Sequence, residues 1–470
     1  MARIADIMLK GGNLSIAADG KSATVQFQDK PGDLLACIGV NLRQTGNNIE
    51  ARTGRYLNWY FRTAEDPELV YGFDFFNYKN HTTATRNTYG KGSFAASDSA
   101  LQRGIKDVRM RFATEGIAYS AVSTAKYGNE LVFSGSESNP LAVRTVSSAV
   151  FPSNGVVCVN PYATLTLSGH VANPLWTKYR VMKNGVLKTK GTGQIAAFEQ
   201  IDLEGGRLSI REDEADAIDS VDYINFVTLK DGARVTGKLA RVLKDRAKAN
   251  WIVAGDSPSY CESGIMVLAV GKDIESTFNI NVNDVAEGSD FILSGPLVDY
   301  YTVYPTATEH WNVHIVKNGE GTMEVSGEVT LPNEVCVSNG VLRLAGDNLF
   351  KVSRKRKETG ENKAASVWLA GGALETAPNT VNTLDLEIKA EGTSIDMGEG
   401  ATLIVSSIAY SDGASILVSG NIGKTATLRI ENATKADLSR IRCGEDRLRV
   451  RLAADGSVEP YFNAFHISIR

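Results

Sequence analysis

Short runs of alternating apolar and polar residues recur along the chain, each closed by Gly, Asn or Asp: ATLTLSG at 163–169, ATLIV at 401–405, ASILVSG at 414–420 and ATLRI at 426–430. A period of two places successive side chains on opposite faces of a strand, and the closing residues accept the backbone of tight turns. The pattern predicts a mostly β chain. Helical spacing is confined to short pieces at 213–219, 239–247 and 435–440. None is long enough to cover a parallel sheet in βαβ fashion, which argues against a doubly wound fold.

Internal repetition narrows the architecture. Leu9, Gly11, Gly12, Leu14, Ser15 and Ile16 recur at the same spacing as Leu203, Gly205, Gly206, Leu208, Ser209 and Ile210. Lys183-Asn184-Gly185 precedes Gly206-Arg207-Leu208 as Lys317-Asn318-Gly319 precedes Gly340-Val341-Leu342, since 206 − 185 and 340 − 319 are both 21. About 21 residues are enough for one circuit of a coil made of short strands and Gly-rich corners. The expected fold is all-β, a right-handed parallel β-helix (β-solenoid). Met323, Val325, Leu342 and Leu344 are expected to point into it from the segments 316–327 and 337–344.

The stretch from Val316-Lys317-Asn318-Gly319-Glu320-Gly321 to Ser326-Gly327, followed by Gly340-Val341-Leu342-Arg343-Leu344, resembles the autotransporter-associated β-strand repeat. In that family a Lys-x-Gly-x-Gly segment opens a strand ending in Ser-Gly, and a later Gly-x-Leu-x-Leu strand closes the unit. The copy at 181–210 is similar but has Val186 and Leu187 after Gly185, without the second Gly. The resemblance implies a passenger-type β-helix of an exported bacterial surface protein. No array of amphipathic strands for a membrane barrel accompanies it.

Residues 1–145 carry longer aromatic alternating runs, at 56–61, 71–78 and 106–112. These suit antiparallel pairs in a small sandwich or cap, with the solenoid assigned to 146–470. An open coil leaves unpaired edges that natural proteins cover. At the other end, the run from Arg447 to Gly456, with Arg449 and Arg451 alternating and Asp455-Gly456 as turn, suits a capping edge hairpin.

Composition adds limits. The chain has 470 residues, too many for one compact core of about 100 to 200. Its 44 Gly against 12 Pro make turns largely a glycine matter, and 43% hydrophobic with 22% charged residues describe a folded chain. With 50 basic and 54 acidic residues the net charge is −4, which points to neither nucleic acid nor an anionic membrane as partner. No apolar run reaches the roughly 18 residues of a membrane span, and Asp6, Lys10 and Asn13 interrupt the amino-terminal stretch, so an export signal is not expected within this chain. Cys37, Cys158, Cys261, Cys336 and Cys443 are far apart and odd in number; Cys158 and Cys336 lie in β-type runs and are expected to be buried free thiols.

Candidate chemistry is sparse. The nearest approach to a phosphate loop, Gly232 to Lys238, is followed by Leu239 instead of Ser or Thr. His310 and His314, four apart on a strand, would lie about 13 Å apart, too far to share one zinc. Glu212-Asp213-Glu214, with Asp216 and Asp219, is the densest acidic run and reads as a solvated loop in preference to a calcium site. Asn279, Asn281 and Asn283 alternate with Ile280 and Val282 and predict a solvated or self-hydrogen-bonded amide face in preference to a sugar or calcium site. The run from Arg354 to Lys357 reads as a solvated basic loop in preference to a contact for an acidic glycan. Flat rings with polar tips suit sugars or protein partners, so Tyr300, Tyr301, Tyr304 and Trp311, with Tyr56, Trp59, Tyr60 and Tyr78, are the candidate ligand-binding residues. No catalytic residue, metal or cofactor is expected.

The resulting expectation is a non-catalytic secreted or cell-surface protein acting as spacer, assembly subunit or adhesin, whose partner is a surface polysaccharide, a protein or a second copy of itself. The alternatives are a polysaccharide hydrolase or lyase on the same fold, with carboxylates supplied by neighbouring rungs, and a viral receptor-binding fibre.

Overall fold

The structure is a computed structural model. It describes residues 156–168, 177–191, 194–243, 247–269, 274–285, 287–304, 313–358, 360, 365–444 and 446–461, with a set of strand backbones, Glu137 and Pro140 between residues 12 and 145. The chain forms two compact units, Met1–Phe226 with Ala233–Lys238, and Val227–Gly232 with Leu239–Arg470.

In the first unit Gly12–Ile16 pairs antiparallel with Ala23–Phe27, and Gly54–Thr63 antiparallel with Tyr71–Tyr78. The strands that follow run parallel. One ladder stacks Ser93–Ala96, Ile117–Ala121, Leu141–Thr145, Ala163–Ser168, Val186–Lys190, Arg207–Ile210 and Arg234–Gly237. A second stacks Arg111–Phe112, Glu130–Phe133, Val156–Val159, Lys178–Met182 and Gln200–Glu204. Parallel stacking thus begins on the amino-terminal side of residue 145. Thr164 lies opposite Val186 and Val186 opposite Arg207, rungs of 22 (186 − 164) and 21 (207 − 186) residues.

The second unit is a parallel β-helix with up to three ladders. The longest runs Ser259–Cys261, Phe291–Leu293, Thr322–Val325, Val341–Leu344, Ala373–Thr376, Thr393–Met397, Ile416–Gly420 and Ile441–Cys443. Its register stacks Phe291, Met323, Leu342, Leu374, Ile395, Val418 and Cys443 into one inward column, all buried. The second ladder includes Lys248–Ala254, Ser276–Val282, Val313–Asn318, Val335–Val337 and Ser366–Leu369, with Phe278, Ile315, Val335 and Val367 facing the same core. A third ladder of Leu239–Leu243, Ile265–Leu268, Leu297–Asp299 and Val329–Thr330 appears where rungs are long, Ile265 to Leu297 being 32 residues (297 − 265). There Trp251 fills the wider interior, edge-on to Phe278 and Phe291.

Several expectations change. The segment 239–247 contains no described helix; Leu239–Leu243 is a strand. Ala240, Arg241, Val242 and Leu243 are all buried, so the strand has no solvent face and shows no alternation. Residues 213–218 form turns and a bend, through Glu214 N–H to Arg211 O and Ala217 N–H to Glu214 O, and Asp219 opens the strand Asp219–Tyr223. Lys435–Ser439 is a helix, with a capping box between Thr434 and Asp437. The two copies of the Leu-x-Gly-Gly motif are not equivalent, since Gly12–Ile16 is antiparallel while Arg207–Ile210 is a parallel rung. The Lys183 and Lys317 motifs do occupy corresponding corners, shifted by two residues. Lys183 sits in its turn, exposed, whereas Lys317 lies within Val313–Asn318, buried. Met323, Val325, Leu342 and Leu344 point inward as expected. Cys158, Cys261 and Cys443 are buried free thiols, but Cys336 lies half-exposed because Val335 and Val337 take the inward positions beside it. Arg449–Leu452 and Val458–Tyr461 form the expected hairpin, attached by bridges at Cys443–Leu448 and Arg429–Ser457.

Candidate functional site

Three of the aromatic candidates, Tyr300, Tyr301 and Tyr304, lie at the end of the third ladder. Asp299 ends Leu297–Asp299 with its carboxylate buried, where it caps the short helix Tyr300–Val303 by accepting from Thr302 N at 2.8 Å and Thr302 Oγ1 at 2.6 Å. Burial pushes the Asp299 carboxyl up, and the Thr302 bonds oppose that shift. Four-residue spacing brings the Tyr300 and Tyr304 rings to 4.6 Å, tilted by 34°. The Arg241 guanidinium lies 5.2 and 5.4 Å from their centroids and donates to Tyr304 Oη at 3.5 Å. Arg241 therefore covers one face of each ring.

Tyr301 turns inward and donates its hydroxyl to Glu358, while Arg354 lies 5.5 Å over its ring and bonds Glu358 at 3.0 Å. The Glu358 hydrogen bond raises the Tyr301 pKa. Arg354–Glu358 is a short helix instead of the expected loop, packed against Tyr300–Val303. Beneath these residues the outward column of the third ladder, Arg241, Met266, Val298 and Thr330, is also buried. The tyrosines thus belong to a second layer over a sheet whose two faces are both buried. Trp311 lies outside the described residues. For Tyr56, Trp59, Tyr60 and Tyr78 only the backbone is described, opposite Phe76, Phe73, Gly72 and Gly54 respectively.

Stacking also assembles a column absent from local sequence. Glu324, Arg343, Glu375, Asp396 and Ser419 occupy successive outward positions of the longest ladder. Arg343 Nε lies 3.8 Å from Glu324 and 3.3 Å from Glu375, Ser289 Oγ donates to Glu324 at 2.7 Å, and Ser419 Oγ to Asp396 at 3.0 Å. The Glu375 carboxyl is pushed up by burial; Arg343 lowers it, and Asp396 and Glu324 raise it further. Each member is the residue after an inward-facing Met323, Leu342, Leu374, Ile395 or Val418, so aligning the rungs on their core positions would have exposed it.

The remaining polar candidates serve the coil. Asp213 pairs with Lys188 at 2.5 Å, Glu214 with Arg211 and the Gly191 N–H at 2.6 Å each, and Glu212 accepts from Ser209 Oγ at 2.6 Å. The Lys188 and Arg211 hydrogen bonds hold the Asp213 and Glu214 carboxyls below their usual range. Asn281 bonds Asn250, Asn318 bonds Asn279 at 3.3 Å and Ser338 bonds Asn318 at 2.8 Å, so Asn279 and Asn281 join an amide face across rungs, while Asn283 lies exposed beyond the strand end. His314 bonds Glu334, and His310 lies outside the described residues. Among the described residues, no three His, Cys, Asp or Glu side chains are placed to hold a metal ion. No described helix is long and apolar enough to cross a membrane.

Comparison with known proteins found no matching family model, no matching curated protein and no matching solved structure.

Proposed function

We propose that this chain is a non-catalytic, exported bacterial surface or extracellular protein whose solenoid serves as a stiff spacer, assembly subunit or adhesive scaffold. One observation supports the reading: the unbroken inward column from Phe291 to Cys443, in which each rung is hydrogen-bonded to the next and buries its side chain on its neighbour. Such stacking resists bending and extension without a large globular core. Exposure of the protein to pectins, alginates and sulfated glycans, with reducing and unsaturated ends as readout, is expected to give binding without cleavage. Turnover lost on one carboxylate substitution would contradict it.

A second reading, a polysaccharide hydrolase or lyase, is favoured specifically by Glu375 and Asp396. Neighbouring strands bring their positions to about 4.8 Å, and a carboxyl biased towards its protonated form beside a second carboxyl suits acid–base work. On this reading both Glu375→Gln and Asp396→Asn abolish turnover without changing the unfolding midpoint.

A further inference from the structure

Residues 351–358 read Lys-Val-Ser-Arg-Lys-Arg-Lys-Glu, five cations and one carboxylate within a chain of net charge −4. The structure explains why the charges do not cancel locally. Glu358 is turned towards the tyrosine layer, where it accepts from Tyr301 and Arg354, and Arg354 is drawn over the Tyr301 ring. Ser353 is buried at the base of the helix and accepts from the Lys357 N–H at 3.2 Å. Asp347, the nearest acid upstream, is tied to the Val381 N–H at 2.7 Å. Lys351 and Lys357 are exposed, and among the described residues neither forms an ion pair. Lys355 and Arg356 lie between them in sequence; with Lys357 they belong to the helix Arg354–Glu358, which Lys351 precedes.

We infer that this anchored helix is a docking point for a linear acidic polysaccharide, which it holds through carboxylate or sulfate groups. The inference rests on the non-catalytic adhesive reading above. The helix spans about 7.5 Å, at 1.5 Å per residue, so it meets a few anionic groups at one place and does not track a long backbone. A nucleic acid, with one charge per roughly 1.7 Å of duplex, would need an extended basic surface. A polysaccharide of lower charge density needs only such a compact cationic knob.

The test is binding of the full chain to immobilised polygalacturonate across a salt series. The probe variant is Lys351→Gln/Lys355→Gln/Arg356→Gln/Lys357→Gln, which leaves the Arg354–Glu358–Tyr301 contacts in place. The control is Arg449→Gln/Arg451→Gln on the exposed hairpin. Wild type and control are expected to bind with affinity that falls as salt rises, and the probe variant to bind at least about tenfold more weakly. Independently of any variant, polygalacturonate but not neutral dextran should slow tryptic cleavage of the wild type at 354–357. Equal binding by probe variant and wild type, no binding by wild type, or displacement of the polysaccharide by equimolar duplex DNA would each overturn the inference. Release of unsaturated or reducing ends would instead overturn the non-catalytic reading, whatever the binding result.

Discussion

Lys317 gives the Lys-x-Gly-x-Gly motif a physical meaning. It holds the third inward position of Val313–Asn318, after Val313 and Ile315, and its ammonium donates to the carbonyls of Gly319 at 2.6 Å, Gly321, and Asn339 at 2.8 Å. The last belongs to the next rung, so one side chain closes two corners. A Cβ on Gly340 would collide with this ammonium and with the Gly319 and Gly321 carbonyls, which is why that corner needs glycine. Burial lowers the Lys317 pKa from 10.5 to about 8, so between those values the unfolded chain binds more protons than the folded one. Stability should therefore rise with pH over that window, by up to about 3 kcal/mol from this residue. Lys317→Met removes the buried charge but orphans three carbonyls, effects that should offset to within about 1–2 kcal/mol near pH 7. Its deficit against wild type should widen towards pH 10, as read from urea unfolding at each pH. A difference that stays constant with pH would contradict this account of the corner. The motif was visible in sequence, but the role of its lysine was not, because period-two reading assigns a cation to the solvent side.

Among the elements, those with one wet face were legible and those without were not. Val341–Leu344 alternates cleanly, with Leu342 and Leu344 buried and Val341 and Arg343 partly exposed. Leu342→Ala should cost about 2–5 kcal/mol in chemical unfolding, and Val341→Ala less than about 1 kcal/mol; similar losses at both would contradict the assigned faces. Leu239–Leu243 and Ile265–Leu268 lie beneath a second layer, so both faces are buried, Arg241 included, and the first mimics helical spacing. The tyrosines at 300, 301 and 304 were legible as a group by proximity in sequence. Their arginine and glutamate partners, 241 and 358, come from other rungs, and no local pattern announces them. The acidic column has the same cause: Glu375 and Asp396 are 21 residues apart (396 − 375) and become neighbours only through the register.

On the scale of the whole molecule, length is made by repetition, and the ends of ladders carry the risk of unwanted pairing. The hairpin of Arg449–Leu452 and Val458–Tyr461 covers the last described rung of the second unit with charged side chains, among them the Arg451–Glu459 pair at 3.2 Å. A chain ended after Asp446 should associate more strongly with rising concentration than the full chain in analytical ultracentrifugation; unchanged behaviour would remove the capping role. The central claim is that distance in the second unit follows rung number and not sequence separation. Spin labels on introduced non-natural residues at Ile292 paired with Glu375, Asp396 or Ser419 lie three, four and five rungs apart in one outward column. Pulsed dipolar spectroscopy should give separations of about 14, 19 and 24 Å, broadened by label linkers, growing by about 4.8 Å per rung. Separations without that constant increment would contradict the stacked parallel β-helix.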